Sequence, residues 1–114
     1  MTESQNQLTL RIERNASEIL VHCGGRLVAG IGDSLYKQVS PLLHETKRIV
    51  LDLTGLAYMD SIGLGCLARL YVSARAAGCE LRLINLGPRI RKLMDVTKLL
   101  SVFTVCGEND IRII

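Results

Sequence analysis

An aspartate and a serine stand side by side, Asp60-Ser61, where the sequence changes from a strand-like to a helix-like pattern. Ahead of them, Ile49-Val50-Leu51 is an apolar run that reads as a buried strand. Behind them, apolar residues recur at helical spacing. A carboxylate at this junction can accept from the free N–H groups of a first helical turn, so Asp60 is expected as an N-cap. Ser61 then lies at the positive end of the helix dipole. A phosphate on its hydroxyl would meet unpaired backbone N–H groups. The pair marks a place where charge can be added or removed without touching the core. On physical grounds alone, a plain cap with an exposed serine is the commoner arrangement.

Other chemistries have less to stand on. A serine hydrolase needs a base beside Ser61, but His22 falls in a strand, His44 at a helix end, and no G-x-S-x-G elbow surrounds the serine. No Cys or His set has metal-ligand spacing, so neither a metal nor another cofactor is expected. His22 and Cys23 should point to opposite faces of one strand, one exposed and one buried. Gly63-Leu64-Gly65-Cys66-Leu67-Ala68 matches the dinucleotide fingerprint G-x-G-x-x-A. A long loop is expected between it and the preceding strand, however, and Asn85 stands where the ribose-binding acid belongs. Glycines that let a helix start pack on neighbouring backbone are the simpler account.

The elements that must position Asp60 and Ser61 follow from pattern. Leu8-Thr9-Leu10-Arg11-Ile12 alternates and predicts a half-exposed strand. Asn15-Ala16-Ser17 is a turn, and residues 19–23 form a second strand that Gly24-Gly25 ends, giving a hairpin. A loop at Gly30-Ile31-Gly32 leads to Asp33, a second candidate cap. Leu35, Val39, Leu42 and Leu43 repeat at helical spacing, with Pro41 expected to kink or shorten the helix. Residues 48–53 are the third strand. Leu64, Leu67, Ala68, Tyr71 and Ala74 make one stripe of the helix after Ser61, with Arg69, Ser73 and Arg75 on its other side and Gly78 as its stop. Residues 81–84 are the fourth strand. Pro88 opens a third helix with Ile90, Leu93 and Met94 as its stripe. Residues 102–105 are the fifth strand, and residues 108–114 are ambiguous.

Strands alternating with helices after a hairpin predict an α/β domain: a mixed, mostly parallel sheet of about five strands covered by helices. Loops at the C-terminal ends of such strands carry function, which would gather Gly25-Arg26, residues 54–61 and Asn85-Leu86-Gly87 on one rim. At 114 residues the chain reads as one domain, with residues 1–7 expected to be flexible. No apolar run reaches the roughly 18 residues of a membrane span, and the polar start has no signal-peptide segment, so a cytoplasmic protein is expected. Cys23, Cys66, Cys79 and Cys106 form no C-x-x-C pair and read as reduced. The net charge of +3 is modest. The basic cluster at 88–92 has no interleaved aromatics and reads as a solvated helix face, not a nucleic-acid surface.

Asp52-Leu53 followed by Met59-Asp60-Ser61-Ile62-Gly63-Leu64-Gly65 resembles the signature of STAS domains, and more closely that of bacterial anti-sigma-factor antagonists. The likeness extends to the hairpin, to Gly25 and Leu27, and to residues 84–93. The resemblance implies a single STAS-like domain over residues 1–114 and a non-enzymatic role. It implies that Ser61 is phosphorylated by a serine protein kinase that is also an anti-sigma factor. The unmodified form would bind that kinase, and a serine phosphatase would reset the switch. Asp60, Ser61, Ile62, Gly63, Arg26 and Asn85 are the candidate partner-binding residues. Arg26 stands in a loop where such proteins often carry an acid, and Ile62 where they carry a small residue. Two other functions remain open: a non-switching scaffold subunit of a stressosome-like or lipid-transport assembly, and a nucleotide- or small-ligand-binding module.

Overall fold

In a computed structural model that describes residues 8–28, 32–97, 104–106 and 112–113, Leu8–Arg14 (β1) and Ile19–Leu27 (β2) form the expected antiparallel hairpin. Asn15 shapes its turn: the side-chain oxygen accepts from the backbone N–H groups of Ser17 and Glu18, both at 2.9 Å. Then come Gly32–Val39 (α1), a 3-10 segment Ser40–His44, Arg48–Met59 (β3), Ser61–Ala77 (α2), Glu80–Ile84 (β4), Pro88–Val96 (α3), Thr104–Cys106 (β5) and Arg112–Ile113 (β6).

The six strands lie in sequence order, β1 to β6. β2 to β5 run parallel, and β1 and β6 run antiparallel to their neighbours. Every crossover steps the same way along the sheet, so right-handed connections place the three described helices on one face. Burial agrees. Val21, Leu51 and Leu83 are fully buried on that face, whereas His22, Asp52 and Arg82 on the other are half-buried. Ion pairs carpet the opposite face. Arg48 Nε is 3.2 Å from Glu80 Oε1, its Nη1 is 3.4 Å from Glu18 Oε1, and Arg82 Nε is 2.7 Å from Glu80 Oε2.

The helical stripes fall largely as expected. Leu35, Val39, Leu42 and Leu43 are buried, and α1 stops before Pro41, which the 3-10 segment accommodates in its first turn. Leu64, Leu67 and Ala74 are buried in α2 with Cys66 and Leu70, and Gly78 closes the helix at φ 75°. Ile90 and Met94 are buried in α3, and Leu93 half-buried. Arg69 and Ser73 do not face only water. The Arg69 guanidinium lies 4.1 Å from the Tyr36 ring centroid, and Ser73 Oγ is 2.7 Å from the Tyr36 hydroxyl, which ties α2 to α1.

Two expectations are corrected. β2 does not end at Gly24-Gly25, and β3 does not end at residue 53; both run on, paired as Gly24 with Gly55, Gly25 with Leu56, Arg26 with Tyr58 and Leu27 with Met59. The glycines mark irregularities in the pairing, not ends, and Gly25 takes φ 92°, which L side chains rarely adopt. The expected sheet of about five strands has six among the described residues, because Arg112–Ile113 adds a short antiparallel edge. β5 is described from Thr104; Val102 and Phe103 lie outside the described residues, as do residues 1–7, Gly30, Ile31, the side chain of Asp33 and residues 107–111. No described helix is long and apolar enough to cross a membrane.

Candidate functional site

Asp60 alone joins β3 to α2. It is extended, at φ −103° and ψ −176°, and its Oδ1 accepts from the Gly63 N–H at 2.8 Å. Its carbonyl accepts from the Leu64 N–H at 2.9 Å, and its own N–H donates to the Leu27 carbonyl at 3.3 Å. The cap therefore ties the helix start to the end of β2. Asp60→Ala should lower stability by about 1 kcal/mol through loss of the capping bond. A urea midpoint equal to that of wild type, at unchanged slope, would contradict this.

Ser61 is the first residue of α2 and is exposed; Ile62 beside it is 59% exposed. Gly63 is buried against β2 so closely that a Cβ there would lie 2.1 Å from the Leu27 carbonyl oxygen. Close approach of a helix start to neighbouring backbone thus accounts for the first glycine of G-x-G-x-x-A. A Cβ on Gly65 would meet nothing within 4 Å. The loop expected between strand and fingerprint is absent.

Arg26 reaches the same end of the sheet. It is paired with Tyr58, and its guanidinium lies 5.1 Å from the Tyr58 ring centroid. Tyr58 is 41% exposed, and the sequence does not single it out, because its segment reads as loop and its pairing with β2 is invisible in one sequence.

Asn85 and His22 stand apart from Ser61. β4 ends level with Asp52, while β3 continues to Met59, a separation on the order of 20 Å at the rise of a strand. The single rim expected for residues 25–26, 54–61 and 85–87 is therefore split: Thr54 lies with Asn85 beside Asp52, and Arg26 lies with Tyr58 further along β3. Asn85, at φ 61°, donates from Nδ2 to Asp52 Oδ1 at 2.9 Å. The same oxygen accepts from the Thr54 N–H at 3.0 Å and the Thr54 hydroxyl at 2.6 Å. Asp52 Oδ2 is 2.9 Å from His22 Nδ1, and His22 Nε2 is 3.3 Å from Glu13 Oε2 without hydrogen-bonding alignment. Asp52 is a clasp reaching from β2 to the end of β4.

Burial pushes the Asp52 carboxyl up, but hydrogen bonds from Thr54, Asn85 and His22 outweigh it and hold the pKa at about 2. The folded value lies below the ordinary 3.8, so the clasp stabilises fully above that value and is lost as pH falls through about 2. Asp52→Asn should therefore cost about 2 kcal/mol at neutral pH. The urea midpoints of wild type and variant should converge between about pH 4 and pH 2. Curves that stay parallel across that window would contradict the assignment.

Cys23, Cys66 and Cys79 are buried; the side chain of Cys106 lies outside the described residues. Burial, with the Asp52 charge second, pushes the Cys23 thiol up to about 12, so it offers no thiolate.

Fold and site define an α/β domain with its described helices on one face of the sheet and an exposed serine opening a capped helix. The chain belongs to the STAS domain family, which matches residues 9–110. It is 24% identical over 103 residues to the anti-sigma-B factor antagonist of Bacillus subtilis (strain 168), covering 90% of this chain and 94% of that protein. It is 30% identical over 95 residues to the anti-sigma-B factor antagonist of Listeria monocytogenes, covering 82% of each. An anti-sigma factor antagonist from Mycobacterium paratuberculosis shares the fold with a TM-score of 0.78 at 20% identity, over 88% of this chain and 86% of that one. The Bacillus cell fate determinant SpoIIAA in its phosphorylated form does so at 0.66 and 18% identity, over 89% and 94%.

Proposed function

We propose that this chain is an anti-sigma-factor antagonist, a cytoplasmic binding protein switched at Ser61. Unmodified, it docks an anti-sigma factor that is also a serine protein kinase; with phosphate on Ser61 it lets go, and a serine phosphatase restores it. The observation that carries this reading is the exposed Ser61 at the first position of a helix that Asp60 caps. The relatives named as anti-sigma factor antagonists support the class of partner. In this reading Ser61 and the exposed Ile62 make the contact, while Asp60 and Gly63 fix the helix start. Arg26, with Tyr58, flanks it. Asn85 is left out of the surface, because its side chain is committed to Asp52.

The test is incubation of the purified protein with ATP and lysate of the bacterium that encodes it, followed by phosphosite mapping, with Ser61→Ala as control. Phosphate on Ser61 is expected. Modification only at other residues, or stable co-purification with non-kinase subunits that Ser61→Asp leaves unchanged, would sink the switch and favour the scaffold. A thermal shift with GTP or ATP in place of phosphorylation would favour the ligand-binding module.

A further inference from the structure

β1 is the first strand of the sheet, and among the described residues its outer edge has no partner. Its side chains divide cleanly. Leu8, Leu10 and Ile12 share the helix-side face and are only half-buried. Arg11 and Glu13 lie on the other face, with side chains 66% and 51% exposed, and pair with each other. Charges on an edge normally prevent pairing with another chain. These two have opposite sign and sit two residues apart, so they become complementary when the strand meets itself antiparallel. We propose that β1 is a self-association edge: two copies pair antiparallel about a two-fold axis through Ile12, making one continuous sheet.

The register follows from faces and charges. For the helix-side faces to coincide, even-numbered residues must oppose even-numbered ones. An axis at Leu10 sets Thr9 opposite Arg11 and leaves Glu13 unmatched. An axis at Arg11 sets two arginines directly opposite, which destabilises the pair. An axis at Ile12 sets Arg11 opposite Glu13 of the partner subunit, twice, so four charges alternate in sign around the axis. It also sets Ile12 against its own copy and Leu10 against the aliphatic stem of Arg14, covering two of the three half-buried apolar residues. The two-fold axis reverses strand direction, so the two Ser61 ends point opposite ways and both stay open.

Sedimentation equilibrium of the full chain reads the association. The apparent mass should rise from 12.6 kDa toward twice that value as concentration approaches about 1 mM. Arg11→Glu should weaken association about tenfold, and Arg11→Glu combined with Glu13→Arg should restore it. Circular dichroism checks that each variant is folded. Register is read separately by oxidation of variants that each add one cysteine in β1, with wild type as the control for the native thiols. Ile12→Cys should form a disulfide-linked dimer on a non-reducing gel, because directly opposed residues lie within disulfide reach, and Arg11→Cys should not. A constant 12.6 kDa, association indifferent to Arg11→Glu, a folded double variant that stays monomeric, or preferential linkage at Arg11→Cys would each overturn the proposal.

Discussion

Gly63→Ala should destabilise the domain by about 3 kcal/mol, while Gly65→Ala, two residues on in the same helical turn, should be neutral or stabilising. Alanine is the better helix former at both positions, by up to about 1 kcal/mol. At Gly65 nothing opposes that gain, since the added methyl meets open space. At Gly63 the methyl would lie 2.1 Å from the Leu27 carbonyl oxygen and 2.8 Å from its carbon. Backbone cannot rotate out of the way as a side chain can. Either α2 lifts or the end of β2 moves, and both stretch the bond from the Asp60 N–H to the Leu27 carbonyl. Sterics therefore outweigh propensity. Urea unfolding of the two variants checks this directly, and equal midpoints would show that the helix start is not seated on β2.

The second large effect is on binding. Ser61→Asp should weaken the docking of the kinase partner by at least about a hundredfold relative to Ser61→Ala, or about 3 kcal/mol, with little change in the fold. Phosphate brings about −1.5 to −2 charges at neutral pH. On the free protein that charge faces the α2 N-terminus, which favours it by typically 0.3–1 kcal/mol. It also faces the Asp60 carboxylate, whose repulsion water and salt reduce. The two effects oppose and are individually small. A partner packed around a neutral hydroxyl must instead desolvate the anion, and an unpaired buried charge costs several kcal/mol. Aspartate carries less charge than phosphate, so it reproduces the block in part. Two measurements decide: the unfolding midpoints and the partner affinities of wild type, Ser61→Ala and Ser61→Asp. Equal affinities for the two variants, or a loss explained by unfolding of Ser61→Asp, would show that blocking is not the mechanism.

What the sequence reveals and what it hides divides along distance. The Asp60 cap is legible because acceptor and donor are three residues apart, and the stripes of α1, α2 and α3 are legible because a helix repeats locally. The hairpin is legible for the same reason. The extension of β2 past Gly24-Gly25 and of β3 past Leu53 is not. A glycine in one chain reads as punctuation, and only the facing strand supplies the hydrogen bonds that carry the strand through it. The clasp is hidden more deeply. Asp52 meets His22 and Asn85, 30 and 33 residues away, and their meeting depends on a register that no local pattern encodes. Tyr58 is missed with its strand, and with it the partner that holds Arg26 in place. The serine is found from local chemistry, and its surroundings are found only from the pairing.

Strand order equal to chain order has a consequence for how the molecule is made. No strand must be inserted between two that have already met. As synthesis proceeds from the N-terminus, the hairpin can form first, β3 can dock once α1 has emerged, and β4 once α2 has. Each addition closes only the loop just translated, which keeps the entropic cost of every step small and favours rapid folding. Order of synthesis and order of assembly coincide, and the growing sheet has one advancing edge from the first strand to the last.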